Sequence, residues 1–139
     1  MSEVKNTGNK IYRPVTVEIA IKLLLTSLVF GALVAYLSIS VSPDDKLFAV
    51  YTDLILLNLL FNGFIIYKIT QNRNWARIFF VLFTIMSIPI FISQLVNTFM
   101  QQPFLDLLKL VNIFIQIAAA YMLMKKESKE WFLLAKTKR

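Results

Sequence analysis

A run of apolar residues near the end of the chain, 105–124, carries polar side chains at helical spacing. Asp106, Lys109, Asn112 and Gln116 recur at i, i+3, i+6 and i+10, so they share one face of a helix. The run has roughly the 20 residues that a helix needs to cross a ~30 Å hydrocarbon layer. Because a polar face cannot contact lipid, other segments must cover it. The chemistry within its reach is ion pairing, hydrogen bonding and proton uptake at a carboxylate.

Most catalytic chemistry is missing from the sequence. The chain has no cysteine and no histidine, which excludes disulfides, thiol chemistry and the usual soft or imidazole metal sites. The serines lack the flanking glycine turn of a nucleophile, and three glycines are too few for a phosphate-binding loop. We therefore expect a protein that is not an enzyme, with no metal site and no cofactor.

The composition is typical of an integral membrane protein. The chain of 139 residues is 58% hydrophobic and 17% charged, where soluble domains average about 25% charged. No charge occurs between Asp53 and Lys68, or between Arg77 and Asp106. The net charge of +7 lies mostly beside the apolar runs, where it sets orientation and meets anionic lipid headgroups, so we expect no nucleic-acid binding.

The apolar runs predict a single, all-α domain with four membrane spans. The spans cover about 15–41, 47–69, 75–99 and 104–124, and a basic tail follows at 125–139. The first run is longer than the apolar core of a signal peptide, so we expect it to be retained as a span. The short turns favour an up-down-up-down four-helix bundle. Pro89 predicts a bend in the third span, with Ser87 or Thr84 binding the carbonyl freed at Ile85.

The basic residues predict the orientation. Twelve of the fifteen lysines and arginines lie in the N-terminal segment, around the 70–74 turn and in the C-terminal tail. By the positive-inside rule, we expect both termini and the 70–74 turn to be cytoplasmic. We also expect a multi-pass protein of the cell inner membrane.

Three short motifs carry a family resemblance. Tyr12-Arg13-Pro14-Val15, Arg73-Asn74-Trp75-Ala76-Arg77 and Glu130-Trp131-Phe132 precede the first span, open the third and lie in the tail. The chain resembles an uncharacterised group of small bacterial four-span membrane proteins. Because no activity is known for that group, the resemblance implies the topology and no mechanism.

Polar residues within the spans fall at three depths once the orientation is assigned. Those near the outer surface form our candidate site: Asp53, Gln94, Asn97, Asp106 and Lys109. Those near the middle form a polar stripe: Asn58, Asn62, Asn112 and Gln116. Those at the inner interface are charged: Glu18, Lys22 and Arg77.

Spacing predicts contacts among these charges. Asp106 and Lys109 are i and i+3 apart, and Asp53 lies at the same depth, so we expect a net negative cluster roofed by Gln94 and Asn97. That site would take a cation, a proton or a basic residue of a partner. At the inner interface, we expect Glu18 and Lys22 to pair on one helix face, with Arg77 as a possible third member.

Two functions are compatible with this pattern. The first is association with another membrane protein, or with further copies of the chain, as an accessory subunit or an immunity-type binder, with intramembrane amides joining helices. The alternative is a small oligomeric channel, transporter or holin-like pore with a polar site facing outward. For the tail, we expect contact with anionic lipid, with Trp131, Phe132 and Leu134 among the headgroups, rather than docking of a cytoplasmic partner.

Overall fold

The computed structural model describes residues 12–40, 45–98 and 101–137, and the side chains of all of these except 45–51 and 98. Over these residues the chain forms five helices, α1 Val15–Ser40, α2 Asp45–Thr70, α3 Asn74–Thr98, α4 Pro103–Met124 and α5 Lys126–Thr137. The first four are long and apolar enough to cross a membrane. They lie within a few residues of the predicted spans, although the predicted ends at 41 and 99 lie outside the described residues.

Prolines precede or open two of the long helices. The carbonyl of Pro14 accepts the first helical hydrogen bonds, from Val17 and Glu18 at 3.1 and 3.2 Å. Pro103 is the first residue of α4, where a missing N–H removes no helical bond. Both positions follow the preference of proline for the start of a helix.

The α2 helix ends in a Schellman motif. Asn72 adopts the left-handed conformation, with φ of 65°. Its N–H donates to the carbonyl of Ile69 at 3.0 Å, and the N–H of Arg73 donates to that of Lys68 at 3.1 Å. These bonds satisfy carbonyls that a helix end leaves open, so the chain turns sharply into α3.

The α3 helix continues through Pro89 without interruption. The hydroxyl of Ser87 donates to the backbone carbonyl of Thr84 at 2.7 Å. The hydroxyl of Thr84 donates to the backbone carbonyl of Phe80 at 2.9 Å. The prediction that one of them binds the carbonyl of Ile85 is therefore wrong. Each hydroxyl has one proton and uses it on the turn behind it, as serine and threonine commonly do in helices.

The four long helices pack as a ring. The α1 helix packs against α2 and α4, α3 packs against the same two helices, and the α1–α4 contact is the most extensive. Within the described ranges, no Cα atom of α1 lies within 8 Å of one in α3, and the same holds for α2 and α4. The two diagonal pairs of helices are therefore far enough apart for a cavity to remain between them where side chains do not fill the centre of the ring.

Buried apolar side chains gather at one end of this ring, which we call the closed end. They come from the beginnings of α1 and α3, the ends of α2 and α4, and from α5. The members from the long helices are Val17, Ala20, Ile21, Leu24, Ile65, Ile66, Ile69, Ala76, Phe80, Val81, Ala119, Ala120 and Leu123.

The α5 helix completes the closed end. Trp131 and Phe132 are 5% and 0% exposed, so the prediction that headgroups surround them is wrong, although Leu134 is exposed. Ser128, on the same face, donates to the carbonyl of Met122 at 2.8 Å, and its Oγ lies 2.9 Å from that of Thr16. Residues 128, 131 and 132 have the spacing of one helical face, which packs against the bundle instead of lipid.

Two arginines tie α5 to the long helices. Arg13 donates to the carbonyl of Thr70 at 3.3 Å and lies 5.8 Å from the ring centroid of Trp131. Arg77 donates to the carbonyl of Leu123 at 3.3 Å and lies 5.3 Å from the ring centroid of Phe132. Each guanidinium thus combines a charged hydrogen bond at the end of a helix with a cation–π contact to α5.

Candidate functional site: a polar cavity

A cavity of about 670 Å³ lies between the four long helices. Leu24, Ile66 and Phe80, buried residues of the closed end, also line it, so the cavity ends against the closed end. Asn58 and Gln94 line it while remaining exposed, so it opens to the outside of the bundle. Every long helix contributes polar side chains to its wall: Ser27, Ser38, Asn58, Asn62, Ser87, Gln94, Lys109, Asn112 and Gln116.

The polar face of α4 meets this cavity. Lys109, Asn112 and Gln116 line it, and the other three long helices cover them. Further along the same face, Ala119 and Leu123 belong to the buried core. The expectation that neighbouring segments cover the polar face of this helix is confirmed.

Asp106 and Lys109 form the predicted ion pair at the end of the cavity. The ammonium of Lys109 lies 3.3 Å from Oδ1 of Asp106. The two side chains have unequal surroundings, since that of Asp106 is 2% exposed and that of Lys109 is 37% exposed. Of the two residues, only Lys109 lines the cavity. The carboxylate is therefore embedded in the protein, and the ammonium is the member that a ligand can reach.

Two predicted members of the outer cluster lie elsewhere. Asp53 is exposed and does not line the cavity, and the same holds for Asn97. The predicted net negative cluster of Asp53, Asp106 and Lys109 is therefore wrong, and only Gln94 of the expected roof faces the cavity. Similar depth in a membrane does not bring side chains together unless their helices also turn the same faces inward.

Asn112 connects α4 to α1 at the middle of the cavity. The hydroxyl of Ser27 donates to Oδ1 of Asn112 at 2.8 Å. One turn along α1, a Cβ added at Gly31 would lie 3.2 Å from Nδ2 of Asn112, which is tighter than an ordinary contact. A glycine thus lets an amide on α4 approach the backbone of α1 closely.

Asn58 and Asn62 pair along α2. Nδ2 of Asn62 lies 2.9 Å from both the backbone carbonyl and Oδ1 of Asn58. The carbonyl oxygen of the Asn58 amide therefore accepts a hydrogen bond, and its NH2 group remains as a donor. All four residues of the predicted stripe, including Asn112 and Gln116, line the same cavity.

The inner-interface charges do not form one group. Glu18 and Lys22 pair at 3.0 Å as predicted, with side chains 53% and 72% exposed. Arg77 is buried and contacts Leu123 and Phe132 instead, so its suggested place beside that pair is wrong. The exposed pair contributes little to stability because water or headgroups screen it.

The arrangement can bind polar groups by hydrogen bonding and by the charge of one ammonium. Among the side chains that the structure describes, no three acidic ones are close enough together to hold a metal ion. The sequence did not identify Ser27 and Ser38 as residues that line the cavity, because a single serine in an apolar run does not indicate which face of its helix points inward. It also missed α5, although the 128, 131, 132 spacing was available.

Comparisons with protein-family models, with curated proteins and with solved structures find no match for this chain.

Proposed function

We propose that this chain is a non-enzymatic, multi-pass protein of the cell inner membrane that binds a polar small molecule in the cavity from the outer side. The observation that carries this proposal is the convergence of polar side chains from all four long helices on one open cavity. A volume of about 670 Å³ lies within the ~300–1,000 Å³ range of ligand sites. It is far too small to receive a whole membrane-spanning helix.

Hydrogen-bond partners favour a ligand over simple helix association. The bond between Ser27 and Asn112 joins two helices, as expected for polar residues that hold a bundle together. The side chains of Asn62, Ser87 and Ser38, by contrast, bond within their own helices. Polar groups that line an open space in a membrane without joining helices are suited to a ligand or water.

The alternative of an outward-facing polar site is therefore preferred to association with a membrane-protein partner. The closed end supports a binding cavity or one state of a transporter rather than a continuous pore, because Leu24, Ile66 and Phe80 fill the bundle below it. Oligomer formation and the tail's contact with anionic lipid are compatible with this proposal and stay predictions.

The orientation rests on two supports. The Lys and Arg distribution favours cytoplasmic termini. The up-down-up-down order is supported by the composition of the closed end, where the beginnings of α1 and α3 meet the ends of α2 and α4. Together they direct the cavity outward. They are also compatible with the resemblance to small bacterial four-span proteins.

Cysteine accessibility tests this proposal, because the chain has no native cysteine. Single variants Asn58→Cys and Gln116→Cys are treated in intact cells with a membrane-impermeant thiosulfonate. Leu60→Cys is the matched control, because Leu60 lies on α2 near Asn58 but is 70% exposed on the apolar outside of the bundle.

We expect Asn58→Cys and Gln116→Cys to react from outside and Leu60→Cys not to react. The thiolate, which forms in a wet cavity and not in lipid, attacks the thiosulfonate sulfur to form a disulfide and releases sulfinate. Equal rates at positions 58 and 60, or reaction of the cavity positions only in inverted vesicles, would contradict the proposal.

A further inference from the structure

The cavity wall carries charge of one sign. Among the described residues that line it, Lys109 is charged and none is acidic. Asp106 compensates Lys109 from within the protein and is itself 1% exposed. A cationic ligand would meet the ammonium directly, whereas an anionic one would meet no carboxylate at the wall.

Lys109 has hydrogen-bonding capacity left for a ligand. An ammonium has three N–H donors, and the ion pair with Asp106 at 3.3 Å accounts for one of them. The side chain is 37% exposed and lines the cavity, so the remaining donors are accessible from it. Hydrogen bonds from an ammonium to an anionic oxygen are roughly twice as strong as neutral ones.

Amide donors line the same space. The Oδ1 atom of Asn58 accepts from Asn62, which leaves the NH2 group of Asn58 to donate. Gln116 lines the cavity and makes no hydrogen bond to any residue in the described part of the chain. One ammonium with neighbouring amide N–H groups is a donor set that matches the oxygens of a phosphate or carboxylate.

On the basis of the proposed function, we infer that the ligand carries an anionic oxygen group, a phosphate or a carboxylate, that binds at Lys109. This is the opposite sign to the cation site that the sequence predicts, because Asp53 lies outside the cavity and Asp106 is enclosed. A soluble anion and an anionic lipid headgroup present the same chemistry, and protection experiments in membranes of different composition distinguish them.

The test measures protection of a cavity cysteine. Purified Ser38→Cys protein, whose cysteine lines the cavity at a residue outside the proposed donor set, is reconstituted in phosphatidylcholine nanodiscs, and its rate of modification is measured with an uncharged, water-soluble maleimide. One arm adds inorganic phosphate against sodium chloride of equal ionic strength. The second arm replaces part of the phosphatidylcholine with phosphatidylglycerol. Protection by phosphate indicates a soluble anion, and protection by phosphatidylglycerol alone indicates a lipid headgroup.

Variants assign the protection to Lys109. Lys109→Met alone leaves the Asp106 carboxylate buried without its lysine, so the main variant is Asp106→Asn with Lys109→Met, which removes both charges. Since a charge-assisted hydrogen bond is lost, the anion concentration for half-protection should rise about tenfold. Lys22→Met, which removes an exposed lysine elsewhere on α1, should leave protection unchanged.

Two outcomes overturn the inference. One is that neither anion slows modification of Ser38→Cys. The other is that protection persists in the double variant. In either case, reaction of Asn58→Cys from outside intact cells would still support the outward-facing cavity, so the anion inference can fail while the proposed function stands.

Discussion

Asp106 and Lys109 show how one turn of helix divides a pair of charges between the protein and the cavity. Asp106 lies in the first turn of α4, where the positive end of the helix dipole favours a carboxylate. Lys109, three residues later, balances that charge while its ammonium remains accessible. The negative member is thereby held within the fold, and the positive member is the one that lines the cavity.

The two glycines with described surroundings give a matched test of helix contact. Gly63→Ala meets nothing within 4 Å, so the alanine should stabilise α2 by about 0.4–1 kcal/mol through its lower unfolded-state entropy. Gly31→Ala has the same helix preference, but its Cβ would lie 3.2 Å from Asn112 and must displace that amide. We expect Gly31→Ala to be less stable than Gly63→Ala, measured as the thermal unfolding midpoint in detergent. An equal gain in both would show that α1 and α4 are not this close.

For individual residues, the sequence predicts contacts within a helix but not contacts between helices. Spacing identified the pairs Asp106–Lys109 and Glu18–Lys22, because both members share one helix. The error at Asp53 came from grouping residues by depth. Asp53 precedes Asn58 by five residues, which is about 140° around a helix at 3.6 residues per turn. When Asn58 lines the cavity, Asp53 must face away from it.

The α5 helix shows that a charged segment can still be part of the core. It carries lysines on its exposed face and packs Trp131 and Phe132 against the long helices. Two arginines from α3 and the segment before α1, Arg77 and Arg13, contact those two rings. Because α5 also packs against α1, α3 and α4, it helps to hold the closed end together.

Adjacent residues of α5 test this assignment. Phe132→Ala removes a fully buried ring and should lower the free energy of unfolding by about 3–5 kcal/mol. Leu133→Ala, one residue later, removes a side chain that is 45% exposed and should change it by about 0.5 kcal/mol or less. Denaturant unfolding in detergent measures both. Similar losses in the two variants would contradict the docking of α5.

The elements differ in how well the sequence predicts them. The four long helices can be located from the length of the apolar runs and from the gaps between charges. Whether a segment is long and apolar enough to cross a bilayer depends on that segment alone. The burial of α5 depends on surfaces formed by α1 and α4, such as Thr16 and Met122, which no property of residues 126–137 specifies. Charge alone therefore favoured a lipid-facing tail.

The whole bundle is asymmetric along its length. At one end, five helices enclose an apolar core, and toward the other end four helices surround a polar space. Because of this asymmetry, the sequence predicts that the positions lining the cavity are polar, but it does not predict that they surround an open space. Whether amides on different helices bond to one another or leave a space depends on how far the helices separate, which their sequences do not state.

The asymmetry also makes the topology testable with two positions. Thr137 is the last residue of α5, the helix that packs against the closed end, and the exposed Gln102 precedes α4 at the end of that helix away from the closed end. If the closed end faces the cytoplasm, Thr137→Cys should be labelled by an impermeant maleimide only in inverted vesicles, and Gln102→Cys only in intact cells. The control is Ser2→Cys, at a position outside the described residues, which should behave like Thr137→Cys because both termini are expected on one side. Labelling of Thr137→Cys from outside intact cells would reverse the orientation and turn the cavity, with Lys109, toward the cytoplasm.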